Sequence, residues 1–312
     1  MKHLTLLSAL VAVLLAGIAV KAIASNRAGT VSEQFLKIPV NARAEGMGNA
    51  QVSLAEGAGS IAFNPAGVLS VSTASFGATY HTWFADITHS FYGAAVNLQE
   101  YGTIGAGLTV LTTDDMEVTT PAFPEGTGEL FKATDMALTF AYARQISQEF
   151  GLGLSAKYIK SYLYNKDIGA STVAFDIGTL YDIPALRTRL GISVNNLGRD
   201  IKFLNEQYSI PTALRFGARV TAFQDEDNLV YVAGQIGRPN DAEEQYNFGF
   251  EYTYSQFVSL RGGFRFNYDT ERLSGGVGFD LRRIGLDGSL DYAYTDYKYL
   301  PGTHMFSLEV GF

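Results

Sequence analysis

The side chains best suited to catalysis or metal binding in this sequence are its histidines, because the chain contains no cysteine. His81 and His89 flank the stretch TWFADIT, and His304 lies near the C-terminus. A histidine pair could hold a metal ion, but no spacing of the HExxH type accompanies it. We therefore interpret these histidines as structural or interfacial, and we expect no metal and no other cofactor.

Other forms of chemistry find little support. Nucleophilic catalysis would need a serine, a histidine and an orienting third group, and no spacing selects a serine for His89. The glycine-rich stretches GLGLSAKY and LSGGVGFDL lie within strand-like segments and do not open helices, so they do not form phosphate loops. The sequence favours a protein without enzymatic activity.

The N-terminus indicates export. Residues 1–24 are predicted to be a signal peptide, with an apolar run over 4–20 and a small-residue cleavage site at Ala22-Ile23-Ala24. An uncleaved anchor helix is the alternative, since the run approaches the length of about 17 residues that spans a membrane. Without Lys2 and Lys21, 21 basic residues face 31 acidic ones. Nucleic acid is therefore not an expected partner.

From Ala74 onward the chain is predicted to be all-β. Segments of about ten residues alternate apolar with polar or small side chains and are bounded by turn residues. The predicted strands are 74–83, 88–98, 102–113, 133–145, 150–164, 170–182, 188–197, 212–223, 228–237, 244–254, 257–268, 271–282, 285–296 and 303–312. An even count of fourteen suits either a two-sheet sandwich or a closed up-and-down barrel.

Charges on the polar face favour the barrel, because arginines and carboxylates can pair across a crowded lumen. The predicted lumen-facing charges are Arg215, Arg219, Glu251, Arg261, Arg265, Asp280, Asp287 and Asp291. The opposite face is apolar and aromatic, as a lipid-facing surface would be. Residues 74–312 are thus predicted to form a fourteen-stranded barrel in contact with outer-membrane lipid.

The connections also favour an outer-membrane barrel, because the long ones follow odd-numbered strands. Both chain ends are then expected in the periplasm. The last strand ends in an alternation whose apolar face is formed by Phe306, Leu308, Val310 and Phe312. A strand that alternates to its final residue should be paired to its end, here with the first strand, and the terminal aromatic is expected to be recognised by the barrel-assembly machinery.

Residues 25–73 do not alternate and are rich in Gly and Ala. A disordered tail is one interpretation, but Phe35, Ile38, Val52 and Ile61 are too apolar for it. A plug in the lumen explains the small residues better, because a fourteen-stranded barrel is too wide for wall side chains alone to fill.

The stretches NARAEGMGNAQVSLAEG and AFNPAGVLS resemble the N-terminal region of the FadL-like outer-membrane proteins, most closely the PorV/PorQ branch. The matching positions are Arg43, Ala44, Met47, Gly48, Asn64, Pro65, Ala66 and Gly67. The resemblance implies a fourteen-stranded barrel in which the N-terminal segment forms a hatch, with Asn64-Pro65-Ala66 as a tight turn. Asparagine and proline both suit a turn.

Four aromatic residues are candidate contacts for a ligand or partner: Trp83, Phe84, Phe123 and Phe131. Trp83 and Phe84 lie in the first hairpin, where an aromatic belt anchor at the membrane interface is the simpler interpretation. Phe123 and Phe131 lie in the long connection 114–132, which we interpret as a solvated loop or a lid.

Two functions remain open. The first, implied by the PorV resemblance, is binding or shuttling of exported proteins, through their C-terminal domains, in a type IX-like secretion pathway. The second is FadL-like uptake of a hydrophobic small molecule with a lateral exit. The mixed charges of the predicted lumen count against a continuous apolar path.

Overall fold

The computed structural model of the protein describes residues 29–164 and 169–312. The predicted signal peptide, residues 1–24, lies outside the described residues. Nowhere in those two ranges is a helix both long and apolar enough to cross a membrane.

Antiparallel strands dominate the described chain and follow the predicted segments closely. The strands are β1 (Ala74–Thr82), β2 (Thr88–Asn97), β3 (Thr103–Thr112), β4 (Met116–Glu117), β5 (Leu130–Phe131), β6 (Thr134–Gln145), β7 (Phe150–Tyr162), β8 (Gly169–Ile183), β9 (Thr188–Gly198), β10 (Ile201–Phe203), β11 (Glu206–Tyr208), β12 (Ala213–Gln224), β13 (Asn228–Pro239), β14 (Gln245–Tyr254), β15 (Val258–Phe266), β16 (Glu271–Asp280), β17 (Gly288–Tyr297) and β18 (Thr303–Gly311). Short 3₁₀ helices occupy Gln99–Tyr101, Pro184–Leu186 and Leu281–Ile284 in three of the turns.

Among the described residues, fourteen strands close into one antiparallel barrel in the order β1-β18-β17-β16-β15-β14-β13-β12-β9-β8-β7-β6-β3-β2. β18 pairs with β1 from His304 to Gly311. Beyond the strand, the backbone N–H of Phe312 still donates to the carbonyl of Ala74 at 2.9 Å. The predicted fold class, an up-and-down barrel of fourteen strands, is confirmed.

Alternation along the strands separates an apolar exterior from a mostly polar interior. On β18, Phe306 and Leu308 are exposed outward, whereas Met305 and Ser307 are buried toward the lumen. On the other barrel strands, too, the exposed large apolar side chains fall at every second position, on the outer face. A soluble protein rarely leaves so much contiguous apolar surface bare, so this band is the lipid-contacting surface.

The two ends of the barrel differ in the length of their connections. One end carries the connections 113–133 and 199–212, which fold into the small hairpins β4–β5 and β10–β11. The other end carries short turns such as 98–102 and 255–257. Outer-membrane barrels place long loops outside the cell and short turns in the periplasm. We name these ends the outer mouth and the inner mouth.

The residues that precede the barrel, from Val31 to Val71, lie inside the ring of strands and are mostly buried. This N-terminal segment contains α1 (Ala42–Gly46) and the 3₁₀ helices Gln34–Lys37, Ala58–Ala62 and Pro65–Ser70. Ile61 packs in one cluster with Phe91 of β2, and Met47 packs in another with Ala233 of β13. The core of the molecule is therefore the interface between the segment and the wall.

The segment crosses the lumen from one mouth to the other. Val31 forms an isolated parallel bridge with Ser209 at the outer mouth, whereas Ala74 begins β1 beside Phe312 at the inner mouth. The predicted end of the mature chain near Ser25 lies outside the described residues, but the first described residues lie at the outer mouth and not on the periplasmic side. The reason is that the segment traverses the barrel before it joins the wall.

Candidate functional site

Among the described residues, the N-terminal segment has a large lumenal cavity on either side. The outer cavity, of about 630 Å³, is lined in part by Phe35, Trp83 and Tyr297. The inner cavity, of about 480 Å³, is lined in part by Arg43 and Glu56. Because the segment contributes side chains to both cavities, it is the element that separates them, and we treat the segment with its wall contacts as the candidate site.

Helix α1 brings the segment close to the wall. Its first turn is capped by Asn41, whose side chain accepts a hydrogen bond from the N–H of Ala44 at 3.2 Å. It is followed by Gly48, whose φ of 67° favours glycine. A side chain at Gly48 would meet the backbone of Phe248 and Phe264. Glycine therefore lets the chain turn directly against β14 and β15.

Arg43, on α1, links the segment to a chain of alternating charges. Its Nε lies 2.9 Å from Oε2 of Glu251 and its Nη2 lies 2.8 Å from Oε1, while Nη1 lies 2.7 Å from Glu56 Oε2. Glu251 also pairs with Arg261 at 2.5 Å, and Arg261 pairs with Asp291 at 2.6 Å. The network joins the segment to β14, β15 and β17.

Glu56 binds three arginines at the inner cavity. Besides Arg43, its carboxylate contacts Arg219 at 2.8 Å and Arg189 at 3.1 Å. Burial alone would raise the pKa of Glu56, but the three guanidinium groups outweigh it and hold the pKa at about 2. Glu56 is thus ionised at any physiological pH and balances a cluster of positive charge.

Glu45, two residues after Arg43, forms a second ion pair with the wall. Its carboxylate lies 2.6 Å from Nη2 of Arg265, and both side chains are buried. The hydroxyl of Thr295 also donates to this carboxylate. Burial alone would raise the pKa of Glu45, but the positive charge of Arg265 outweighs burial, so the pKa is lowered. One turn of helix therefore makes ion pairs with two separate parts of the barrel.

The Asn64-Pro65-Ala66 turn lies fully inside the wall at the start of the 3₁₀ helix Pro65–Ser70. The Asn64 side-chain oxygen accepts from the N–H of Ala66 at 3.2 Å, and its amide donates to the carbonyls of Val52 at 2.9 Å and Thr179 at 3.2 Å. Asn64 thus joins two parts of the segment to β8. The neighbouring Gly67 is also buried.

Other contacts of the segment involve residues that sequence reasoning missed. The carboxylate of Glu309 on β18 accepts from the N–H of Ala58 at 2.6 Å. Nζ of Lys157 on β7 donates to the carbonyl of Ala62 at 3.2 Å and pairs with Asp176 at 2.9 Å. Glu309 could have been found, because it is the one carboxylate among the inward positions of the terminal strand. Lys157 could not, because nothing local marks its partner.

Trp83 faces the lumen and not the membrane interface. Its ring lies 4.9 Å from that of His81, 4.4 Å from Phe84 and 5.7 Å from Tyr297, and it lines the outer cavity. The interpretation of Trp83 as a belt anchor is therefore wrong. It continues the inward parity of β1, in which Thr79 and His81 are buried, so its ring points into the barrel.

At the outer mouth, two acidic side chains share one hydroxyl. Ser161 Oγ lies 2.9 Å from Glu33 Oε2 and 2.5 Å from Asp135 Oδ1. Burial, together with the nearby Asp135, raises the pKa of Glu33 to about 7. This contact ties the start of the segment to β6 and β7.

The remaining candidate residues are dispersed. Arg215 points inward and donates to Asn195 at 2.7 Å. Asp280, at the end of β16, pairs with Arg282 in the following turn. Asp287 was predicted within a strand but precedes β17 in an exposed turn at the inner mouth, because the 3₁₀ helix Leu281–Ile284 occupies this connection.

The four aromatic candidates do not form one site. Phe123 is exposed at the outer end of the β4–β5 connection, and Phe131 packs its ring 5.0 Å from that of Tyr164. Trp83 lines the outer cavity instead, and Phe84 packs against Trp83 and Tyr297. Among the C-terminal residues, Phe306, Leu308 and Phe312 are exposed on the outer surface and Val310 is half-buried beside them.

Comparisons with known proteins agree with this architecture. A family model described as type IX secretion system protein PorV matches residues 21–238. Similar solved structures include the Pseudomonas putida toluene transporter TodX, with 12% identity over 88% of this chain and 97% of that one at a TM-score of 0.61. The monoaromatic hydrocarbon channel CymD has 13% identity over 93% and 99% at 0.57. A Pseudomonas aeruginosa FadL homologue has 12% over 87% and 97% at 0.55. At these identities the likeness shows the fold alone. No curated protein sequence matches the chain.

Proposed function

Because this chain belongs to the PorV family of type IX secretion system proteins, we propose that it binds exported proteins at the outer mouth of a plugged, non-enzymatic barrel. Family and fold support a location in the outer membrane, and they agree with the resemblance drawn from the Arg43 and Asn64 motifs. The proposed boundaries are a signal peptide over 1–24, a plug over 25–73 and a barrel over 74–312.

The proposal rests on one observation, that the N-terminal segment fills the lumen and is bonded to the wall. Arg43, Glu45 and Glu56 each form ion pairs with the wall, and Asn64 and Ala58 add hydrogen bonds. A polypeptide could pass through the barrel only if these contacts were broken together. The surfaces available to an exported protein are therefore the mouths, and passage through the lumen is not part of the proposed function.

The outer mouth offers the features that a protein partner needs. The β4–β5 connection projects Phe123, which is 61% exposed, and Leu130, which is 63% exposed. Exposed apolar side chains on a loop outside the lipid band are typical of protein contact sites. The neighbouring outer cavity could accept a side chain or strand end of the bound protein.

A second function, uptake of a hydrophobic small molecule, is favoured by one observation. Phe35, Trp83, Tyr268 and Tyr297 present aromatic surface to the outer cavity, and pockets of about 300–1,000 Å³ suit small ligands. Against it, the inner cavity beyond the segment is lined by Arg43, whose ion pairs offer no apolar continuation. We therefore rank uptake second.

In-cell crosslinking tests the proposal. A photo-crosslinking residue at Phe123, on the outer hairpin, should capture exported proteins through their C-terminal domains, whereas one at Tyr101, exposed in a turn at the inner mouth, should not. Replacing residues 116–131 by a Gly-Ser linker should strand exported proteins in the periplasm.

Equal crosslinking at both positions, or normal surface delivery without the hairpin, would contradict the docking role. Native mass spectrometry of the barrel extracted from its own membrane tests uptake separately. A bound apolar molecule of a few hundred daltons, with protein delivery unaffected by hairpin removal, would support the second function.

A further inference from the structure

Two buried histidines face each other on the inside of the first hairpin. His81 on β1 is directly opposite His89 on β2, and both side chains are fully buried. Their ring centroids lie 6.2 Å apart with planes at 76°. Within residues 29–164 and 169–312, none of the four ring nitrogens has a hydrogen-bond partner. Buried polar atoms are nearly always paired, by protein groups, ordered water or an ion, so these four nitrogens are free to bind a further species.

A third candidate ligand lies on the adjacent strand. Met305 on β18 is in register with His81 and is 1% exposed on the same inward face. Directly opposed side chains on antiparallel strands have Cβ atoms about 4.5–5.5 Å apart. Met305, His81 and His89 therefore form a row across β18, β1 and β2, which includes the seam where the barrel closes.

We propose that His81 and His89, with the thioether of Met305, bind a soft monovalent metal ion, Cu(I). A metal lies about 2.0–2.1 Å from a ligating imidazole nitrogen, hence about 3.2 Å from the ring centroid. Two rings on one ion can then have centroids up to about 6.4 Å apart. The observed 6.2 Å lies within this limit.

The ligand types select the ion. In the described ranges, no three His, Cys, Asp or Glu side chains are placed to hold a metal together, so a carboxylate-rich site for a hard divalent ion is not formed. Two imidazoles and a thioether suit Cu(I), which accepts soft ligands. A single positive charge also costs less to bury among neutral ligands than a double charge does.

The outer cavity offers a route for the ion. Trp83 lines that cavity and packs edge-on against His81 at 4.9 Å, so one aromatic ring separates the histidine from the open space. Once bound, the ion would cross-link the first, second and last strands. The site is separate from the docking surface proposed above, since its three residues lie on β18, β1 and β2 and not on the β4–β5 hairpin.

Metal binding to the full chain, purified from the outer membrane in detergent and treated with chelator, tests the site. Ag(I) serves as a redox-inert probe, with Cu(I) under ascorbate as the second. The absence of cysteine removes competing thiols. We expect about one ion per barrel, at least tenfold weaker binding in His81→Asn and His89→Asn, and a smaller loss in Met305→Leu.

His304→Asn is the matched control, because His304 faces outward and already bonds the hydroxyl of Tyr292 at 2.8 Å. X-ray absorption should show nitrogen and sulfur neighbours in the parent chain and no sulfur in Met305→Leu. If the His81 and His89 variants fail to fold, the presence of a sulfur neighbour in the parent chain and its absence in Met305→Leu still test the site. Absence of stoichiometric binding to the parent chain, or equal loss in His304→Asn, would overturn the proposal.

Discussion

Arg43 and Glu251 form a two-point ion pair between the N-terminal segment and the barrel wall. The guanidinium Nε and Nη2 atoms lie 2.9 and 2.8 Å from the two carboxylate oxygens. This geometry is stronger and more directional than a single contact, and Glu251 is almost fully buried. The pair therefore fixes both the position and the orientation of α1 in the lumen.

Arg43→Gln should loosen the segment. Removing one partner of a buried ion pair typically costs about 3–5 kcal/mol, and we expect the low end because the Arg43 side chain is 22% exposed. Planar-bilayer recordings should show raised ion leak, and the denaturation midpoint should fall. Arg199→Gln, the same charge change in an exposed connection, is the control. Equal leak in both variants would argue against a closing role for Arg43.

Asn64→Ala should also raise ion leak, because it removes the cap of the 3₁₀ helix Pro65–Ser70 and both amide bonds to Val52 and Thr179. A lost cap costs about 0.5–2 kcal/mol and each unpaired buried carbonyl about 1–3 kcal/mol. Pro65→Ala should act in the same direction more weakly. Asn205→Ala, in the exposed β10–β11 turn, provides the comparison. Unchanged conductance in the Asn64 and Pro65 variants would show that this turn does not help the N-terminal segment to close the lumen.

Deletion of Phe312 should impair membrane insertion. The residue makes the final backbone bonds of the closing seam, to Ala74, and presents a 72% exposed ring on the outer surface. Heat-modifiable migration on gels measures the folded fraction. Phe312→Trp keeps the backbone bonds and an aromatic ring, so it should insert normally. Normal accumulation of the truncated barrel would show that the last residue is dispensable.

The attachment of Glu33 at the outer mouth should weaken as pH rises. The pKa of Glu33 is about 7 when the segment is attached to the wall and about 4.5 when the segment is released, so protonation of Glu33 favours the attached state. Attachment is strongest below pH about 4.5 and is lost as pH passes about 7. A cysteine at the half-buried Val31 should become more reactive toward maleimide from pH 5 to 8, relative to one at the open Gly128. Glu33→Gln should abolish this change, and a flat ratio in the parent chain would contradict the attachment.

Periodicity was enough to predict the wall. Alternation predicted the fourteen barrel strands and their faces, because a strand between lipid and a polar lumen must alternate apolar and polar side chains. The terminal face ending at Phe312 predicted the closing pair. The same rule would have placed Trp83 inward, since it continues the parity of His81. We assigned Trp83 to the membrane interface instead, because tryptophan is generally enriched there, and that assignment is wrong.

The sequence by itself determined the barrel, its strand number and the presence of an atypical segment before Ala74, since these are carried by local patterns. Only the tertiary structure decided how that segment crosses the lumen, which carboxylate meets which arginine, and that Trp83 packs between His81 and Tyr297. Ion pairs such as Glu45 with Arg265 join residues more than two hundred positions apart. No local periodicity encodes such a pairing, because it depends on where closure of the barrel places each strand around the segment.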